Sequence, residues 1–191
     1  MPTLHVCPLS RLHETVVALR ASHVVTLINR DTLVERPATI TPDRHLFIGV
    51  SDIVEPLDGQ VLPGGQHVET LLAFVRRWER EAPLVIHCFA GISRSTAAAF
   101  ISACALAPER SEREIAAELR AASPTATPNG RLVALADDML ARRGRMVDAV
   151  RRIGRGIDAY EGEPFTLRIR PEPESVAAAL ARGSSNAHNR R

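Results

Sequence analysis

The sequence predicts an α/β protein: a mainly parallel central sheet flanked by helices on both faces. Three observations carry that expectation. Short β-branched segments alternate with helix-period segments through most of the chain. The most apolar of them, Leu84-Val85-Ile86, lacks polar alternation, as a central parallel strand does. A loop dense in reactive residues follows it directly, and open parallel sheets bind ligands beyond the carboxyl ends of their strands.

In chain order, Leu4 to Leu9 is a short extended segment, and Ser10 is placed to cap an amphipathic helix from Arg11 to Arg20 with Leu12, Val16 and Leu19 on one face. His23 to Ile28 is a buried strand. Asn29 to Asp43 is a polar loop broken by Pro37 and Pro42, and His45 to Ser51 is the next strand, ending at Asp52. Prolines and glycines make Ile53 to Gly65 irregular. Helix resumes from His67 to Arg80, with Val68, Leu71, Leu72, Val75 and Trp78 at helical spacing, and Pro83 stops it before the central strand. Ser93 to Ala107 is a helix apolar on most sides, as one packed inside a domain must be. Another helix runs from Glu112 to Ala122, Ser123 to Pro128 is an extended break, and Asn129 opens a long helical run toward Gly154. Gly154, Gly156 and Gly162 lack dinucleotide-loop spacing and read as turns.

At 191 residues, 45% hydrophobic and 24% charged, the chain is expected to form one domain over residues 1–170 with a flexible tail at 171–191. A net charge of +2 offers no broad basic field for nucleic acid. The whole Lys+Arg count is arginine, which reads as the codon bias of a GC-rich genome. No signal-like start and no apolar run near about 18 residues is present, so a cytoplasmic protein without membrane partners is expected. Three cysteines without a C-x-x-C pair argue against a disulfide framework or structural zinc, and no metal or cofactor is called for.

The chemistry concentrates in His87-Cys88-Phe89-Ala90-Gly91-Ile92-Ser93-Arg94-Ser95. A loop entering a helix N-terminus offers unpaired N–H groups and the positive end of the helix dipole, which together suit a phosphate or other oxyanion. The amides of residues 89–93 are the candidate cradle, and Arg94 can return to grip two oxygens with its planar fork. Cys88 at the mouth of such a loop is expected to be ionised, since a helix start and a cation lower a thiol pKa to roughly 3.5 to 7.5. Gly91 allows the turn without a Cβ facing the bound oxygens, and Ser95 places a hydroxyl near the sulfur. His87 is expected to bond loop carbonyls and tune the sulfur.

These residues, Cys then five residues and Arg-Ser with His before and Gly between, resemble the signature loop of the cysteine-based protein tyrosine phosphatases, most closely the dual-specificity branch. The resemblance implies thiolate attack by Cys88 in line on phosphorus, a phosphocysteine, and its hydrolysis, with Arg94 and the loop amides holding charge throughout. It also implies a general acid on an upstream loop. Asp52, at a strand end and 36 residues before Cys88, is favoured, and Asp58, 30 residues before, stays open. Pro128-Asn129 resembles the late Pro-Asn whose Asn braces the signature loop; an ordinary N-cap is the plainer role. The implied substrate is a phosphorylated protein or a small phosphorylated ligand.

Two other classes share such a loop. One is a phosphate-reading module without turnover; the other is thiol-based sulfur transfer or arsenate reduction. Intact Cys88, Arg94 and Ser95 speak against the first. Sulfur-transfer loops usually lack the Ser-Arg-Ser ending, and arsenate chemistry wants resolving cysteines. Cys104 lies about 16 Å along the helix from Ser93, beyond disulfide reach, while Cys7 stays open as a redox partner. Only one Tyr and one Trp are present, and neither falls in the loops 31–43 or 53–65, so no aromatic clamp is visible there.

Overall fold

A computed structural model describes residues 3–170, and the expected tail at 171–191 lies outside the described residues. Five strands form one sheet: β1 (Thr3–Pro8), β2 (His23–Ile28), β3 (His45–Gly49), β4 (Leu84–Cys88) and β5 (Phe165–Arg168). Their spatial order is β3-β2-β4-β1-β5. The first four are parallel to their neighbours, and β5 runs antiparallel along β1. The sheet is therefore mixed, with the parallel core the sequence predicts.

Alternation along each strand divides the apolar residues between two layers. Leu4, Val6, Val25, Leu27, Leu84 and Ile86 face a large layer, while Cys7, Val24 and Val85 face a small one. The large layer holds α2 (Gly65–Arg77), α3 (Arg94–Leu106), α4 (Glu112–Ala122), α5 (Gly130–Met139) and α6 (Arg145–Ile153). The small layer is α1 (Leu12–Leu19) with Val34 and Ile40 of the loop after β2. Helices thus cover both faces very unequally. No helix among the described residues is long and apolar enough to cross a membrane.

α3 is the axis of the large layer, packed against β1, β2 and β4 on one side and α2, α4 and α5 on the others. Ala97, Ala98, Ala99 and Ala103 are fully buried, and their small side chains let the helix approach the sheet closely, with Phe100 and Ile101 filling the remaining volume.

Three expectations are corrected. Ser10 caps no helix: it lies in a 3-10 turn, Leu9–Arg11, and its hydroxyl donates to Glu161 Oε2 at 2.8 Å. The helical run from Asn129 is two helices, because Ala141, Arg143 and Gly144 adopt positive φ of 53°, 53° and 85°. Tertiary bonds override helix propensity there. The buried Asp137 carboxylate accepts from Gly144 N at 2.6 Å and Met146 N at 2.7 Å, starting α6 afresh, while buried Arg142 donates to Cys104 O at 2.7 Å and Glu112 Oε1 at 3.0 Å. Finally, the stretch read as turns after Gly154 ends in β5. Its buried Phe165 and Leu167 alternate with exposed Thr166 and Arg168, a four-residue signal too short to stand out.

Candidate active site

The carboxyl ends of the four parallel strands share one edge of the sheet, and Cys88 ends the strand at its centre. Its thiol is buried, with 2% of the residue exposed, and Sγ lies 3.1 Å from Ser95 Oγ on the first turn of α3.

Between them the loop carbonyls are tied to surrounding segments. Phe89 O accepts from Leu9 N at 3.0 Å, Ala90 O from Gly162 N at 2.8 Å, Ile92 O from Thr127 N at 2.9 Å and Ser93 O from Asn129 N at 3.3 Å. No cis peptide bond occurs among the described residues, and a trans peptide sets each N–H opposite its C=O. Anchoring the carbonyls outward therefore turns the amides of Ala90, Gly91, Ser93 and Arg94 toward the concave side, at the N-terminus of a buried helix. That is the donor set an oxyanion requires.

Arg94 is 6% exposed. Its Nη1 donates to Asn29 Oδ1 at 2.8 Å and to Val50 O at 2.9 Å, which ties the guanidinium to the ends of β2 and β3. Its Nε finds no hydrogen-bond acceptor among the described residues. A buried, unsatisfied donor on a cation is costly unless an anion completes it.

Asp52 lies against this loop. Its Oδ1 accepts from Ser93 Oγ at 2.7 Å and Asn129 Nδ2 at 2.9 Å, and its Oδ2 stands 4.0 Å from Arg94 Nε. Asp58 sits six residues further on in an exposed turn. Asn129 combines both roles considered for it: its Oδ1 caps α5 by accepting from Leu132 N at 3.1 Å, while its amide holds Asp52 and Ile53 O and its backbone holds Ser93. A groove of about 580 Å³ opens beside Asp52 and Ser93, between residues 53–57 and 127–130. Phe89 is 46% exposed on the outer side of the loop.

Gly91 is required for a different reason than the sequence suggested. Its φ is +72°, and a Cβ there would lie 2.8 Å from Pro8 N and 2.9 Å from Cys7 C, so the missing side chain makes room for the end of β1 and not for a bound oxygen. His87 is fully buried, and desolvation pushes its pKa down to about 4, so the ring is neutral. Cys7 is likewise buried, and desolvation raises its thiol to about 12, the opposite of a reactive partner.

Sequence reasoning missed the strap at residues 154–164, whose buried Gly162 supports Ala90 and whose Gly156 N donates to Thr127 Oγ1 at 3.0 Å. It carries the one Tyr of the chain, Tyr160, 82% exposed and two residues before Gly162. Its three glycines, Gly154, Gly156 and Gly162, were the local signal.

Comparison with known proteins agrees with this geometry. The protein-tyrosine phosphatase family profile matches residues 58–123, which include β4, the loop and α3 but neither Asp52 nor Asn129. Over that stretch the chain is similar to the cysteine-based protein tyrosine phosphatases. The fold resembles that of the dual-specificity phosphatases. The structure of DUSP15 superposes with a TM-score of 0.60 at 18% identity, covering 80% of this chain and 91% of that one. The human tyrosine phosphatase-like serine/threonine/tyrosine-interacting protein gives 0.58 at 17% identity, covering 75% and 94%, and the Cydia pomonella PTP-2 phosphatase gives 0.56 at 19%, covering 71% and 84%. At such identities the likeness is one of fold. No curated protein matches the chain in sequence.

Proposed function

We propose that this chain is a metal-independent phosphomonoester hydrolase that works through a phosphocysteine on Cys88. The observation that carries the reading is the unsatisfied, buried Nε of Arg94 beside a loop of inward amides with a thiol at its base. Phosphate oxygens would complete the guanidinium and the amides of residues 89–94 together. In the first step the Cys88 thiolate forms an S–P bond as the P–O bond to the leaving group breaks, and Asp52 delivers its proton to the departing oxygen. In the second, water attacks phosphorus while Asp52 takes a proton from it, and the S–P bond breaks to release phosphate and thiolate. Ser95, donating to Sγ, stabilises that thiolate as leaving group. Asn129 and Ser93 aim the Asp52 carboxyl, and the substrate is a phosphorylated protein or small phosphorylated ligand.

Turnover of an aryl phosphate tests the reading. Cys88→Ser should abolish hydrolysis while inorganic phosphate still raises the melting temperature; undiminished turnover would overturn the assignment. Asp52→Asn should lower kcat by about 10²-fold or more and remove the basic limb of the pH profile, whereas Asp58→Asn should leave both near the starting values. The opposite pattern assigns the acid to Asp58.

A further inference from the structure

On the small-layer face of the sheet, three polar side chains form a hydrogen-bonded row that ends on the backbone of the nucleophile. The parallel register sets Thr26 of β2 opposite His87 of β4, and His45 of β3 opposite Val24, two residues from Thr26, so all three project from one face. Thr26 Oγ1 lies 2.7 Å from His87 Nε2 and 2.8 Å from His45 Nε2, and His87 Nδ1 lies 3.4 Å from the Cys88 carbonyl oxygen. Thr26 and His87 are fully buried, and His45 is half-buried at the outer end.

Donor counting gives the row one direction. A carbonyl only accepts, so His87 Nδ1 carries the hydrogen facing Cys88 O. The ring, neutral in its buried setting, then has a lone pair at Nε2, which accepts from the Thr26 hydroxyl. That hydroxyl has a single hydrogen, so its oxygen can only accept from His45, whose Nε2 must carry N–H. Every hydrogen in the sequence His45, Thr26, His87 therefore points toward residue 88. The reverse direction would set the His87 Nδ1 lone pair against the Cys88 carbonyl oxygen.

We infer that Thr26 and His45 are positioning residues for the Cys88 thiolate, acting through the imidazole of His87. Aligned donors polarise one another, and their summed positive end lies at the residue that must carry negative charge. The row also holds the His87 ring in one tautomer and orientation. Neither residue falls within the stretch matched by the family profile. The role as a catalytic aid rests on the phosphatase reading, but its physical content, a row of donors aligned toward the sulfur, does not require turnover.

The pH dependence of iodoacetamide alkylation at Cys88, followed by mass spectrometry of its peptide in the full chain, provides the test. Thr26→Val should raise the thiol pKa by about half a unit to one unit, since the thiolate loses two aligned donors. Thr26→Ser, which keeps the hydroxyl, should restore it, and His45→Ala should raise it by less. An unchanged thiol pKa in both Thr26→Val and His45→Ala overturns the inference, as does a Thr26→Ser variant that shifts as far as Thr26→Val. Should Thr26→Val fail to fold, His45→Ala at the half-buried end decides alone. Alkylation is independent of hydrolysis, so an inactive protein with the expected shifts would sink the phosphatase reading and leave this one standing.

Discussion

Two residues show how the site depends on what surrounds it. His87 must stay neutral for its lone pair to accept from Thr26, and burial ensures this by holding its pKa at about 4 against 6.5 in the unfolded chain. Between those values the unfolded state binds the proton and the folded state does not, so acid favours unfolding. The stability present above pH 6.5 should be lost progressively as pH falls toward 4, by up to about 3 kcal/mol from this group. Burial lowers His5, His23, His45 and His67 as well, and they add to the same slope. Urea midpoints at pH 7.5 and pH 5 check the expectation, and His87→Gln should flatten the difference. Gly91 is the second case. Gly91→Ala forces a positive φ and a Cβ against Pro8 and Cys7, so the loop must shift; inorganic phosphate should then bind at least about tenfold more weakly. Undiminished binding would mean the loop tolerates the movement.

Among the elements, the strap at residues 154–164 has no regular structure yet completes the signature loop. It lies flat on residues 123–128, with Ile157 N donating to Pro124 O at 2.9 Å, and reaches the loop at Gly162. A Cβ on Gly156 would sit 2.5 Å from Thr125 C and O, so a side chain there must lift the strap off its support. Gly156→Ala is expected to weaken the Gly162 to Ala90 bond and lower kcat for an aryl phosphate severalfold with little loss of helix signal in circular dichroism. A drop confined to KM would place the strap with substrate contacts instead of loop support.

At the scale of the whole molecule, a buried ion pair joins the late helices to the core. Glu112 is 5% exposed and accepts from Arg142, itself 8% exposed, and from Arg145. Removing the charge at one partner leaves the other desolvated and unpaired, which costs about 3–5 kcal/mol. Glu112→Gln, which keeps the shape, should therefore lower the urea midpoint markedly, and Arg142→Met should lower it less because Arg145 still pairs with Glu112. The same helices carry Asn129 at the start of α5 and the strap after α6, so this pair is linked to the active-site edge through the elements it stabilises.

The strand-loop-helix order around Cys88, the buried α3 and the parallel core were all legible from local pattern, because hydrophobic period and a helix-opening loop are properties of neighbouring residues. The candidate nucleophile and the arginine could be named from the loop's own residues for the same reason, and the favoured acid from the family resemblance together with its place at a strand end. Four things were decided only by the folded chain. Contacts from Asp137 and Arg142 split one helical pattern into α5 and α6. β5 exists because β1 offers an open edge to four weakly patterned residues. Gly91 is required by the end of a strand some eighty positions earlier in the chain. The row from His45 through Thr26 to His87 arises from strand register, and register is set by packing between segments that no local window contains together.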